Sequence, residues 1–135
     1  MITSTLVTSV SHTSPTLVFT SSENGAPVGV AGAYPVGQVN AITTMALCNV
    51  ADPSASNEVT NSVTATIYLV NTLTSGSPDT STFSNAIVYK LQIPAGETVF
   101  FSEERLVLAA GDEIHVGTNI NGVGSLAVTV STLPV

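Results

Sequence analysis

The stretch Ser62-Val63-Thr64-Ala65-Thr66-Ile67-Tyr68-Leu69-Val70 decides the fold class. Val63, Ala65, Ile67 and Leu69 share one parity, and Thr64, Thr66 and Tyr68 share the other. Side chains of an extended chain alternate between two faces, so this spacing predicts a strand with one core face and one wetter face. A helix would need apolar residues at steps of three and four, and no stretch of this chain keeps that stripe over three turns.

The same alternation recurs on both sides of that stretch. In residues 86–93, Ile87, Tyr89, Leu91 and Ile93 take the core parity, and Val88, Lys90 and Gln92 the opposite one. In residues 125–131, Leu126, Val128 and Val130 alternate with Ala127, Thr129 and Ser131. Shorter strands are predicted at residues 97–102, 105–108 and 113–117, and one that is apolar on both faces at residues 42–49. Residues 2–9 and 15–20 are weaker candidates. A single helical turn is the reading for Ser102-Glu103-Glu104-Arg105.

Turn chemistry separates these strands. Asn24-Gly25 and Asn121-Gly122 suit tight hairpins, because both residue types accept positive φ. Ile93-Pro94-Ala95-Gly96-Glu97 and Leu108-Ala109-Ala110-Gly111-Asp112 are two versions of one pattern, in which an apolar strand end meets a glycine turn and then an acid. Residues 51–60 and 72–84 are long polar connections with room for partner contacts. The expected architecture is all-β: a single antiparallel sandwich of about eight strands, jelly-roll-like or immunoglobulin-like. Residues 1–38 read as N-terminal strands or an extended arm, and residues 39–135 as the sandwich core.

Composition narrows the function. The chain has 135 residues, 44% of them hydrophobic and only 8% charged, and its mean hydropathy is +0.45. Ordinary soluble domains carry about 25% charge, so Ser, Thr, Asn and Gly must supply the polar surface here. A weakly charged surface is a liability for a free monomer and tilts the reading toward an assembly component. The net charge of −7 comes from nine acids against Lys90 and Arg105, which cannot neutralise a phosphate backbone. Nucleic acid is therefore not an expected partner. Uncharged stretches such as residues 1–22 are broken by polar residues and do not read as membrane spans. Met1-Ile2-Thr3-Ser4-Thr5 lacks a positive leader region, which gives assembly in a cytoplasm as the expectation.

The residues that carry catalysis are sparse. Cys48, the one cysteine, lies in the apolar run Met45-Ala46-Leu47-Cys48 and reads as a small hydrophobe. His12 and His115 are the two histidines; His115 alternates with Ile114 and Val116 and is expected on a surface beside Glu113. Glu103-Glu104 and Asp112-Glu113 are adjacent pairs, and neighbours on a strand point to opposite faces instead of converging on one bond. Residues 49–58 hold oxygen donors without an EF-hand pattern, and Gly29-Val30-Ala31-Gly32 lacks the Lys-Ser/Thr of a phosphate loop. No catalytic, cofactor or metal residues are assigned.

From about residue 39 to residue 135 the chain resembles small β-sandwich virion proteins of tailed bacteriophages. The resemblance is carried by Asn40-Ala41-Ile42-Thr43-Thr44-Met45 leading to Leu47-Cys48-Asn49, then Thr66-Ile67-Tyr68-Leu69-Val70 and Ile93-Pro94-Ala95-Gly96-Glu97. Glu104-Arg105-Leu106-Val107-Leu108 and Ala110-Gly111-Asp112-Glu113-Ile114 complete it in order and spacing. It implies a non-enzymatic role among proteins that decorate capsids, build necks and tails or end fibres, and the acidic balance favours a capsid decoration (cement) or other accessory assembly protein on the outside of a particle. It further implies a homo-oligomer, with a trimer favoured, docked on other virion proteins such as the major capsid protein. The alternative is a tail or fibre-tip module recognising a host glycan; a small hydrolase is a distant third. Val88, Phe100 and Val107, expected on faces opposite the core, are the candidate interface residues.

Overall fold

The computed structural model describes residues 2–8, 11–21, 39–53, 61–71, 77–102, 106–120 and 125–135. The strands are β1 (Ile2–Val7), β2 (Thr16–Thr20), β3 (Asn40–Asn49), β4 (Val63–Val70), β5 (Ala86–Ile93), β6 (Thr98–Phe101), β7 (Leu106–Leu108), β8 (Glu113–Ile120) and β9 (Leu126–Pro134). The turns expected at Asn24-Gly25 and Asn121-Gly122, and most of the helical turn expected at 102–105, lie outside the described residues.

Two antiparallel sheets pack face to face, as the alternation predicts. The first has the order β1-β9-β3-β6, with β7 also on β3; the second has the order β2-β8-β4-β5. β6 and β7 lie end to end along β3, Met45 pairing Phe101 and Ile42 pairing Leu106. Together they act as one interrupted edge strand. The pairings are nested: β4 with β5, β3 with β6 and β7, β2 with β8, and β1 with β9. A long hairpin rolled up on itself gives this order. It is the jelly roll of the two topologies expected.

The core lies between the sheets. Val7, Phe19, Leu47, Ile67, Ile93, Ile114, Leu126 and Val128 are among the residues that meet there, all buried. Burying a side chain of this size contributes roughly 1.5–3 kcal/mol relative to leaving it exposed. At one end of the sandwich, the buried amide of Asn49 ties three segments together. Its Nδ2 donates to the carbonyls of Asn61 (2.9 Å) and Ile93 (3.0 Å), and its Oδ1 accepts from the Ala51 N–H (3.0 Å). At the other end Asn40 donates to Ser21 Oγ at 2.9 Å, joining β3 to the end of β2.

The two related turns form as one device. Glu97 N–H donates to the Pro94 carbonyl and Asp112 N–H to the Ala109 carbonyl, each at 3.1 Å. Their third residues, Gly96 (φ 76°) and Gly111 (φ 94°), take the positive φ that side chains resist.

Strand β5 departs from its sequence pattern. Ile87 and Tyr89, expected in the core, are exposed at 42% and 55%, while Val88, expected on the opposite face, packs against the core. Lys90 sits at φ 49° and the β4–β5 register slips between Ala65 and Ile67. The bulge consumes one residue and flips the parity, so Val88, Leu91 and Ile93 all point inward. β4 keeps its parity, but its wetter face is dry: Thr66 and Tyr68 are fully buried there.

Candidate functional site

The two outer faces of the sandwich differ. The outer face of the second sheet is covered by the chain itself over β4, while Ile87 and Tyr89 on β5 stay exposed. Tyr68 Oη donates to the His12 carbonyl at 3.2 Å, and its ring stacks on Phe83 with centroids 6.4 Å apart. Thr66 and Val70, on the same side of β4, are buried as well. The segment carrying Phe83 is shaped by Asp79, whose carboxylate accepts from Ser81, Thr82 and Ser84. Those hydrogen bonds hold its carboxyl far below the ordinary carboxylate range.

The outer face of the first sheet has no such cover among the described residues, and its strands contain no Asp, Glu, Lys or Arg at all. Strand register gives its layout. One row runs Ser4, Thr129, Ala46, Phe100; the next runs Leu6, Ala127, Cys48, Thr98. A third runs Ile2, Ser131, Thr44, and a fourth Leu133, Ala41, Val107. The two central strands, β9 and β3, thus present mostly Ala, Ser, Thr and Cys. The bulky residues stand at the margins: Ile2 and Leu6 on β1, Phe100 and Val107 on β6 and β7, and Leu133 near the end of β9. Phe100 is 65% exposed and Val107 61%. The face is a shallow trough with apolar rims.

Its hydroxyls are partly spoken for. Ser4 Oγ and Thr129 Oγ1 are 3.1 Å apart, and Thr43 Oγ1 donates to the Ser131 carbonyl at 3.1 Å. Covering such groups costs less than covering unpaired ones, because their hydrogen bonds survive removal of water. The surface is therefore built to tolerate dry contact.

Of the three candidate interface residues, Phe100 and Val107 lie on this face and Val88 does not. Val88 instead lines a cleft of about 420 Å³ with Met45, Ile87, Phe101 and Leu106, where the edges β5 and β6–β7 of the two sheets approach. The cleft is mostly apolar and continues the core outward; among the described residues that line it, none brings a polar side chain to fix a small molecule.

The described titratable residues do not assemble around one reacting centre. His115 Nε2 and Glu113 Oε2 are 2.7 Å apart on the outer side of β8, two residues apart as period two requires. His12 lies over the second sheet, and Cys48 faces out from the first, so neither histidine shares a face with the thiol. Among the described residues no three His, Cys, Asp or Glu form a group that could hold a metal ion. Asn49, first of the oxygen donors at 49–58, spends its amide on backbone partners; residues 54–58 and the glycines at 29 and 32 lie outside the described residues, as do Glu103 and Glu104. Among the described residues no helix is long and apolar enough to cross a membrane.

Sequence reading picked out Phe100 and Val107 singly and missed the face they belong to. The signal was present in the strands that lack charge, but only the strand order puts those strands side by side. A scan of the chain against protein-family models finds no match, and no curated protein matches it.

Proposed function

We propose that this protein is a non-enzymatic structural protein of a tailed-phage virion, a capsid decoration (cement) or similar accessory protein that works as a homo-oligomer docked on other virion proteins such as the major capsid protein. The observation that carries the reading is the outer face of the first sheet, whose strands hold no charged residue and which no described residue covers, rimmed by Phe100 and Val107. A face of that kind is suited to permanent contact, since obligate interfaces are large and apolar and resemble a core cut in two. The jelly roll is an architecture used in viral capsids, and also in lectins and cupins, so it supports the reading without selecting it. The acidic balance of the chain fits the outside of a particle better than a DNA-facing interior. The resemblance of residues 39–135 to small phage virion proteins points the same way.

Mass spectrometry of gradient-purified particles tests it. The chain is expected in a fixed ratio to the major capsid protein. Its absence from complete particles overturns the reading.

A second reading, a glycan-recognising module at a tail or fibre tip, has one observation in its favour. Phe83 and Tyr89 meet edge to face at 4.9 Å, beside the Asp79 loop, where a sugar ring could stack. The Asp79 oxygens, however, are already engaged by Ser81, Thr82 and Ser84. Binding on a glycan array that is lost in Tyr89→Ala would favour this reading over the first.

A further inference from the structure

We infer that the outer face of the first sheet is the surface through which the chain binds a second copy of itself, with the Phe100 and Val107 rim of one copy seated on the small-residue strip of the other. The inference rests on the assembly reading above in using the same face, and it goes further by naming the occupant.

Charge selects the partner. Each copy carries −7, with Lys90 and Arg105 as the only basic residues, so two copies repel wherever their acids approach. Among the described residues, the first sheet is the place where five neighbouring strands present no charge of either sign. It is the surface on which like can meet like without burying an unpaired carboxylate.

Shape selects it as well. Bulky Ile2, Leu6, Phe100 and Val107 flank, and Leu133 closes at one end, a strip in which Ala46, Ala127, Thr44 and Thr129 leave little side-chain height. A rim residue of one copy thus has a matching depression on any other copy. Self-complementary patches of this kind are what homo-oligomers use. Size is sufficient too. Four strands at ~4.8 Å spacing and about eight residues of ~3.3 Å give on the order of 500 Å² per copy. Two copies then bury about 1,000 Å², the lower bound for a specific interface.

Cys48 supplies a built-in reporter, because it lies in the strip, partly exposed, and copies that meet on this face cover it. The experiment combines sedimentation velocity across a concentration range with maleimide labelling of Cys48 in the wild-type chain. An oligomer is expected, and Cys48 labelling is expected to slow as concentration rises. Phe100→Asp and Ala46→Arg are expected to weaken association at least about thirtyfold while keeping a cooperative melt, as loss of a central contact does. Gln92→Asp, an equal charge on the second sheet, is expected to leave association unchanged. A wild-type chain that stays monomeric, with Cys48 labelled equally fast at every concentration, overturns the inference. So does an oligomer that neither face variant weakens. A monomeric chain that is nonetheless found in purified particles overturns this inference and the homo-oligomer part of the reading above, and leaves the virion assignment standing; an oligomer on this face that is absent from particles overturns the virion assignment and leaves this inference standing.

Discussion

Gly117 on β8 runs against the backbone of His12, so that a Cβ placed on it would stand 2.9 Å from the His12 carbonyl oxygen. That same oxygen accepts the hydrogen bond from Tyr68 on β4. One close approach thus clamps the chain between β1 and β2 onto the outer face of the second sheet, and it explains why Tyr68 is dry.

Gly117→Ala is expected to destabilise the protein by about 1–3 kcal/mol, the range for forcing extra volume into a packed site. Backbone stands opposite, so no flexible side-chain end can give way. Tyr68→Phe keeps the ring stack and loses only the hydrogen bond, with an expected cost of about 1 kcal/mol. Thermal melts of both variants check the order. Equal melting temperatures for Gly117→Ala and wild type would contradict the clamp.

The clamp has a pH signature. Burial pushes the His12 imidazole below its ordinary 6.5, helped by Lys90 and opposed by a hydrogen bond with the Gly117 backbone. The folded state therefore favours the neutral ring. Between 6.5 and the lower folded value the unfolded chain binds more protons, so stability rises with pH there. The contribution is complete above the unfolded value and is lost as pH falls through the folded one. Melting temperatures measured from about pH 5 to pH 7, where an ordinary histidine titrates, are expected to fall on acidification and to fall less in His12→Gln.

The paired glycine turns make a prediction by comparison. At φ 94°, Gly111 lies beyond the left-handed well that side chains enter at modest cost. Gly96 is nearer that well at φ 76°, but an added Cβ would meet Pro53 at 2.8 Å. Gly111→Val and Gly96→Val are each expected to cost about 1–3 kcal/mol, and Gly111→Asn less than Gly111→Val, because Asn accepts positive φ best after glycine. An unchanged melting temperature in Gly111→Val would sink the turn assignment.

These turns mark the part of the fold that was legible in the sequence. A glycine between an apolar strand end and an acid has few physical meanings, and Leu126, Val128 and Val130 alternate without interruption and are all buried. Strand order was not legible, because nothing local to Val107 says that its neighbour across β3 is Leu133. The outer face of the first sheet depends on that order, which is why only its isolated residues were found. Tyr68 and Thr66 were misread for a different reason. Parity tells which way a side chain points but not whether another segment lies over it, and the cover comes from residues distant in the chain.

The phase of β5 was the least legible feature. Its alternation from Ile87 to Ile93 is clean, and lysine gives no warning of positive φ. The bulge is held from across the sheet instead: Lys90 N–H donates to Thr66 Oγ1 at 3.1 Å, and Thr66 is fully buried. Thr66→Val keeps the shape and removes the acceptor, leaving that N–H unpaired at an expected cost of about 1–3 kcal/mol. Lys90→Gly acts in the opposite direction, relieving the positive φ and gaining up to ~1 kcal/mol after its own entropic cost. If the bulge sets the phase, Thr66→Val also loosens Val88 from the core, and amide exchange at residues 86–90 accelerates more than at β9. Uniform acceleration across both strands would show that Thr66 supports the sheet generally and does not hold the bulge.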